Sequence, residues 1–291
     1  ARAAFLMDKP LRKIGLNGRS FIPMIMGFGC TVPAVFAART VSSQQEKTAT
    51  VLLAPFMSCC ARMPIYALFA GTFFPLSGGF VSAGIYILGV AAAVIYGAIL
   101  RKTVLRGGSA PFLLELPPYR IPDIRTLFLH LWQKCRSFIL RTGTLIACLS
   151  VIIWTLNAFT PAFVPASEPA ESLLARAGAL IAPLLAPLGF GTWQAAVSLL
   201  SGIAAKESVI SCLTVVYAAG SPEALPAIIS GCFTPASSVS FMVFCLLYSP
   251  CIAACAAMKK ELGSAAFAAA LFQTLTAYAV SFAVYRLLLL F

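Results

Sequence analysis

The sequence predicts an all-α fold: a polytopic transmembrane helical bundle of about seven or eight membrane segments, two of them broken or re-entrant. Three observations predict it. Of 291 residues, 60% are hydrophobic and 10% charged, with a mean hydropathy of +0.93, whereas a soluble domain carries about a quarter charged residues. The apolar runs are continuous rather than alternating, which excludes a transmembrane β-barrel. Finally, Gly, Pro and Cys cluster twice inside apolar chain, as "GFGCTVP" from Gly27 to Pro33 and "PFMSCCARMP" from Pro55 to Pro64.

The elements follow in chain order. The opening "ARAAFLMDKP" reads as the tail of a longer apolar segment, so a fragment or isolated domain is expected. A basic stretch, Lys9 to Arg19, precedes the first apolar run, Phe21 to Ala38, which is interrupted by Pro23, Gly27, Gly29 and Pro33. Those residues predict a broken or re-entrant helix rather than a regular span. Spans are expected from about Thr50 to Phe74 and from Phe80 to Leu100, the latter uncharged over 21 residues. That length suffices to cross a bilayer, which takes about 20 apolar residues.

The hydrophilic connection 101–137 contains "LELPPYRIP", which cannot be helical across its prolines, and "DIRTLFLHLWQKCRSF", which has helical spacing. The latter predicts an amphipathic helix at the cytoplasmic interface, starting near Asp123 and carrying His130 as an interfacial residue. A span is expected at about Phe138 to Phe159, then the mildly acidic outer loop "TPAFVPASEPAES". Leu173 to Phe190 is broken by Pro183, Pro187 and Gly189, and Thr192 to Ala218 reads as the next span. A Pro/Ser loop to about Ser238, a span Val239 to Met258 and a last span Ser264 to Leu290 complete the chain. This predicts residues 1–105 as a first repeat with its following spans, 106–137 as a cytoplasmic linker, and 138–291 as a second membrane half. A broken segment followed by a long helix with unusual polar residues, once in each half, points to a paired-repeat transporter with its site near the midplane.

The formal charge is +12, but seven Lys/Arg fall in residues 1–47 and eight in 101–141, the flanks of apolar spans. That pattern fixes orientation by the positive-inside rule and attracts anionic lipid; it is not a nucleic-acid footprint. Ten cysteines with one histidine and no zinc-type CxxC spacing make neither a disulfide framework nor a structural zinc site.

Charged residues inside apolar segments cost about 2.5–3.5 kcal/mol each on insertion scales, so they mark either locking networks or ion paths. Arg62 follows "FMSCC", and Lys206 with Glu207 interrupts "SLLSGIAAKESVISCL". On a helix these two neighbours would point about 100° apart and could not pair with each other. Glu207 is the better ligand for a cation.

Breaking a helix in a membrane frees backbone carbonyls, tolerable only where protein or a wet site satisfies them. Gly27 and Gly29 are expected to allow close backbone approach, with Cys30 and Thr31 in the opening and Pro33 preventing closure of the ladder. Met57, Ser58 and Cys59 repeat the design between Pro55 and Pro64, and Pro250 precedes Cys251 in "YSPCIAAC". Thiolate, thioether, hydroxyl and carbonyl groups together suit a borderline-soft divalent metal, with a carboxylate balancing charge; Mg²⁺ or Ca²⁺ would want oxygen alone. Taken singly, a buried cysteine packs as a small hydrophobe, and Cys60, Cys148, Cys212, Cys245 and Cys255 are read that way.

"ARAAFLMDKPLRKIGLNGRSFIPMIMGFGCTVPAVFAART", "LLAPFMSCCARMPIYALFAG", "GTWQAAVSLLSGIAAKESV" and "FCLLYSPCIAACAAMKKELGS" closely resemble the ferrous iron transport protein B family. The resemblance covers essentially the whole chain. It implies a multi-pass bacterial cytoplasmic (inner) membrane transporter of Fe²⁺ with two gate-type repeats of broken helices. It also implies that Cys30, Cys59 and Cys251 contact the ion with Glu207, while Gly27, Gly29, Thr31, Pro33, Met57, Ser58, Arg62 and Lys206 gate or line the path. Cys60 departs from the family, where a small residue such as Gly is commoner. Family members carry an N-terminal G domain that gates with GTP; no GxxxxGK[ST] occurs here, so the resemblance is to the C-terminal membrane portion, a non-enzyme without a nucleotide site. Implied partners are the lipid bilayer, that G domain, a small cytosolic accessory protein and further copies of the chain.

Two competing readings keep the residues and change the role. Gate-type repeats also resemble those of nucleoside transporters, whose sites want amides and carboxylates; here the interrupted segments are rich in sulfur instead. A membrane thiol redox protein would use Cys59 and Cys60, but a vicinal pair does not close a relaxed disulfide and no activating base is evident.

Overall fold

The computed structural model describes residues 2–103, 123–160, 171–217 and 224–290, and among these every regular element is helical. The expected "LELPPYRIP" turn and most of the outer loop lie outside the described residues. Helix α1 (Arg2–Arg12) leads into a 3-10 turn capped by Asn17, whose side-chain oxygen accepts from the N–H groups of Arg19 and Ser20. Next come α2 (Phe21–Gly29) and α3 (Thr31–Ala37), separated at Cys30, whose extended backbone ends the first ladder. At nine residues, α2 rises only about 14 Å, under half a hydrocarbon core.

Helix α4 (Gln44–Leu53) and α5 (Met63–Phe73) are two halves of one apolar stretch interrupted around Met57 to Cys59. Helix α6 (Gly78–Thr103) is intact. Helix α7 (Ile124–Ala158) starts at Asp123, whose carboxylate accepts from the Thr126 N–H and hydroxyl, and these bonds hold that carboxyl below its ordinary pKa. It passes without interruption through 137 and 138, so the expected interface helix and following span are one helix, with His130 exposed on it.

In the second half, α8 (Leu173–Leu185) and α9 (Trp193–Ala204) are bent by 103° about Gly189, which takes φ +88°. The span expected from Thr192 to Ala218 is interrupted too: α9 ends at Ala204 and α10 (Ser208–Val216) begins after Glu207. Lys206 and Glu207 therefore lie in a break, not 100° apart on a helix. No proline marks that break. A hydroxyl supports it: Ser208 Oγ lies 2.7 Å from the Ala205 carbonyl oxygen and 2.9 Å from that of Ser201, which also accepts from the Ala205 N–H. Where a Pro/Ser loop was expected, α11 (Leu225–Cys232) forms, because Pro226 sits in the first turn, where a missing N–H costs nothing.

Helix α12 (Pro235–Leu247) opens with a Thr234–Ser237 capping box, and α13 (Ile252–Leu262) continues it after an interruption from Tyr248 to Cys251. Helix α14 (Ala265–Leu288) is intact. Instead of seven or eight spans, four stretches among the described residues are long and apolar enough to cross a membrane: Gln44–Phe73, Gly78–Lys102, Pro235–Leu262 and Ala265–Leu288. Counting the α8–α9 pair gives five. Interrupted runs such as 21–38 yield helices too short to qualify, while the expected span 138–159 forms part of the 35-residue α7.

Burial separates two kinds of span. The interrupted stretches Gln44–Phe73 and Pro235–Leu262 are 61% and 67% buried, the intact Gly78–Lys102 and Ala265–Leu288 only 28% and 22%. Broken helices thus form the interior and intact ones face outward, as expected if freed backbone groups must be kept from lipid. An aromatic cluster fills the centre: Phe69 lies 4.9 Å from Phe241 and 5.2 Å from Phe233, and Phe190 lies 5.2 Å from Phe241.

Candidate functional site

Four interruptions, at Cys30, Met57–Cys59, Ala205–Glu207 and Tyr248–Cys251, leave carbonyls without their helical partners. Each acquires a donor of its own. At the first, the Cys60 thiol donates to the Gly29 carbonyl at 2.9 Å. At the second, Arg62 Nη1 donates to the carbonyls of Pro55 at 3.3 Å and Met57 at 3.2 Å, while Gln273 of α14 donates to that of Leu52. Serine hydroxyls serve the third. At the fourth, Lys206 Nζ donates to the Ser249 carbonyl at 2.7 Å, and the Cys255 thiol to that of Pro250 at 3.4 Å. Unsatisfied, each such group would cost several kcal/mol in lipid.

The three expected cysteines occupy equivalent places. Cys30, Cys59 and Cys251 each stand in extended backbone immediately before a helical turn: α3, the 3-10 turn leading into α5, and α13. The bond from the Cys60 thiol to the Gly29 carbonyl at 2.9 Å brings the segment of Cys59 and Cys60 against that of Cys30. Cys30 and Cys251 flank the same cluster, in which Val32 and Val35 of α3 pack with Ala253, Ala254 and Ala257 of α13. Cys59 is buried, and the other two are half-buried. Among the described residues, no three His, Cys, Asp or Glu side chains lie close enough together to hold a metal ion.

Around them, Gly27 brings α2 against the second interruption, since a Cβ there would lie 3.0 Å from that of Met57 and 3.2 Å from the Ala54 carbonyl oxygen. Gly29 makes no such approach; a Cβ on it would meet open space, and its contribution is the exposed carbonyl. Thr31, Met57 and Ser58 are buried, Ser58 bonding Tyr66 Oη at 3.1 Å, and Pro33 is half-buried inside α3. Arg62 is 1% exposed and Lys206 3%, whereas Glu207 is exposed. Lys206 bonds Ser249 two residues before Cys251, and Arg62 stands three residues after Cys59, so each buried cation serves a segment that carries one of these sulfurs.

Sequence reasoning passed over Tyr248 and Gln273. Tyr248 stacks on Phe244 and puts its ring beneath the Lys206 amine. Its signal was position, directly before the Ser-Pro-Cys of the fourth interruption. Gln273, a buried amide in a mainly apolar helix, was visible as a polar residue in a span. Of the cysteines read as packing, Cys245 is fully buried in the main core, but Cys60 is exposed and bonded across to Gly29, and Cys255 supports the fourth interruption.

A family model described as "Nucleoside recognition", the gate model, matches residues 1–73 and 139–265, and one described as "Ferrous iron transport protein B C terminus" matches residues 83–134. A protein of Staphylococcus aureus named "Fe(2+) transporter FeoB" is 42% identical over 99% of the chain. One of the same name from Methanocaldococcus jannaschii is 37% identical over 97%. A "Fe(2+) transport protein A/Fe(2+) transporter FeoB fusion protein" of Porphyromonas gingivalis is 36% identical over 100%. The chain spans 43%, 43% and 40% of the lengths of these relatives. No solved structure matches it.

Proposed function

The chain belongs to the ferrous iron transport protein B family, and from that premise we propose that it is the membrane portion of an Fe²⁺ transporter whose ion passes between the helix interruptions. The observation that carries this reading is the matched placement of Cys30, Cys59 and Cys251, each at the start of a helical turn, amid carbonyls that helix breaking has freed. Thiolates and carbonyls are a donor set for a borderline-soft divalent ion. Their looseness suits transport, because an ion must bind well enough to enter and weakly enough to leave. Glu207, at the exposed side of its break, serves as an entry or exit carboxylate. Gly27, Thr31, Pro33, Met57 and Ser58 shape the opening, and the Gly29 carbonyl closes it onto Cys60.

Gating in the complete protein comes from a GTP-binding domain outside this chain, with the cytoplasmic membrane as its location. The relative named as a fusion with Fe(2+) transport protein A supports a small accessory partner. The test is anaerobic Fe²⁺ binding to the purified protein. Saturable binding should weaken in Cys30→Ser, Cys59→Ser and Cys251→Ser but not in Cys148→Ser, whose side chain is exposed on α7. Equal binding in all four would overturn the assignment.

The description of the gate model supports a second reading, a nucleoside as cargo. Uridine that displaced bound Fe²⁺, or bound with comparable affinity, would favour it.

A further inference from the structure

Lys206 stands in the interruption between α9 and α10 but spends its amino group elsewhere. Its Nζ donates to the Ser249 carbonyl at 2.7 Å and lies 3.1 Å from the centroid of the Tyr248 ring. Both acceptors belong to the interruption between α12 and α13, two and three residues before Cys251. The residue is 3% exposed, and its polar contacts among the described residues are these two neutral, electron-rich groups. A buried ammonium is ordinarily held by a carboxylate. Here it is held by a carbonyl oxygen and a π face, the kinds of group that also attract a free cation.

Arg62 offers a contrast. Its guanidinium bonds carbonyls five and seven residues back in its own segment, so removing it would unmake its own break. Lys206 reaches 43 positions away on a flexible stem, and the break it sits in is secured independently by Ser201 and Ser208. It can withdraw without undoing either segment.

We propose that Lys206 is a tethered placeholder cation, occupying the Ser249 carbonyl, with the Tyr248 face beneath its amine, until a divalent metal ion takes that carbonyl. The inference rests on the reading of Cys30, Cys59 and Cys251 as ion contacts. Two cations in one poorly solvated space repel strongly, so the metal and the ammonium exclude one another. Entry of the ion moves Lys206 out, and the return of Lys206 helps drive the ion off. Lys206 thereby sets how tightly the site holds its cargo without ligating it.

The test pairs anaerobic Fe²⁺ binding with lysine labelling in the purified protein. Lys206→Met, which keeps the length of the side chain and removes the charge, should bind Fe²⁺ about tenfold more tightly or better. In the wild-type protein, saturating Fe²⁺ should raise acylation of Lys206 by an amine-reactive reagent, read by mass spectrometry, while Lys102 and Lys259 stay constant. Unchanged or weaker binding in Lys206→Met overturns the proposal, as does unchanged Lys206 acylation at saturating Fe²⁺. The labelling arm decides alone where the variant does not fold. Wild-type protein that binds no Fe²⁺ overturns the transport reading and this inference together. Binding that is lost in the cysteine variants without any change in Lys206 labelling overturns this inference only.

Discussion

The Cys60 thiol donates to the Gly29 carbonyl oxygen at 2.9 Å across 31 positions, joining the first two helix interruptions directly. The contact predicts a graded response. Cys60→Ser keeps a donor and should remain within a few tenths of a kcal/mol of wild type, while Cys60→Ala should lose about 0.5–1.5 kcal/mol. Because Cys60 is exposed and Cys245 fully buried, maleimide should label the first rapidly and the second only after unfolding. Thermal unfolding in detergent with labelling kinetics checks both.

Arg62 is the largest fully buried side chain among the described residues. Its guanidinium holds the carbonyls of Pro55 and Met57, and its Nε has no partner among the described residues. Arg62→Met would leave both carbonyls unsatisfied at about 1–3 kcal/mol each, an effect large enough to reduce folded yield. Arg62→Lys, with one ammonium in place of a fork, should fall between. Detergent-extracted folded protein, followed by size-exclusion chromatography against temperature, would show that order. Equal stability of all three would mean that the interruption is held by its packing alone.

Glu261 at the end of α13 pairs with Arg39 after α3 at 2.6 Å and with Lys47 in α4 at 2.8 Å, tying the first half of the chain to the second. The two pairs differ in exposure: the Arg39 side chain is 51% exposed and that of Lys47 20%, against 3% for Glu261. Solvent screening should leave the Arg39 pair weak. Double-mutant cycles with Glu261→Gln are therefore expected to give a larger coupling for Lys47→Met than for Arg39→Met, and added salt should erase the Arg39 coupling first.

How much of this was legible beforehand depends on what each residue signals. Proline and glycine announce interruptions, so those at Cys30, Met57–Cys59 and Tyr248–Cys251 could be read from Pro33, Pro55, Pro64 and Pro250. The intact spans could be read from uncharged length. The interruption at Lys206 and Glu207 could not be placed, because no proline or glycine marks it and its support is the Ser208 hydroxyl on the Ala205 and Ser201 carbonyls. Hydropathy also cannot tell one long helix from two short ones, which inflated the span count. At the site, cysteines beside prolines were visible, but Tyr248 under Lys206 is a tertiary contact between residues 42 positions apart, beyond local pattern.

The glycines supply the last prediction. A Cβ at Gly202 of α9 would lie 2.3 Å from Tyr248 Oη and 2.5 Å from Val209 Cγ2, while one at Gly29 would meet nothing within 4 Å. Tyr248 cannot easily give way: it is 3% exposed and its ring stacks on Phe244 at 5.4 Å. Gly202→Ala should thus destabilise by about 1–3 kcal/mol through overpacking. Pushing Tyr248 aside should also disturb the ring face under Lys206, so that variant is expected to change Fe²⁺ affinity as well. Gly29→Ala, exposed and without steric conflict, should fold like wild type and gain slightly from reduced chain entropy. Thermal unfolding of the two variants side by side checks the contrast. If Gly202→Ala were as stable as Gly29→Ala, the close approach of α9 to Tyr248, and with it the placement of Lys206 over that ring, would be wrong.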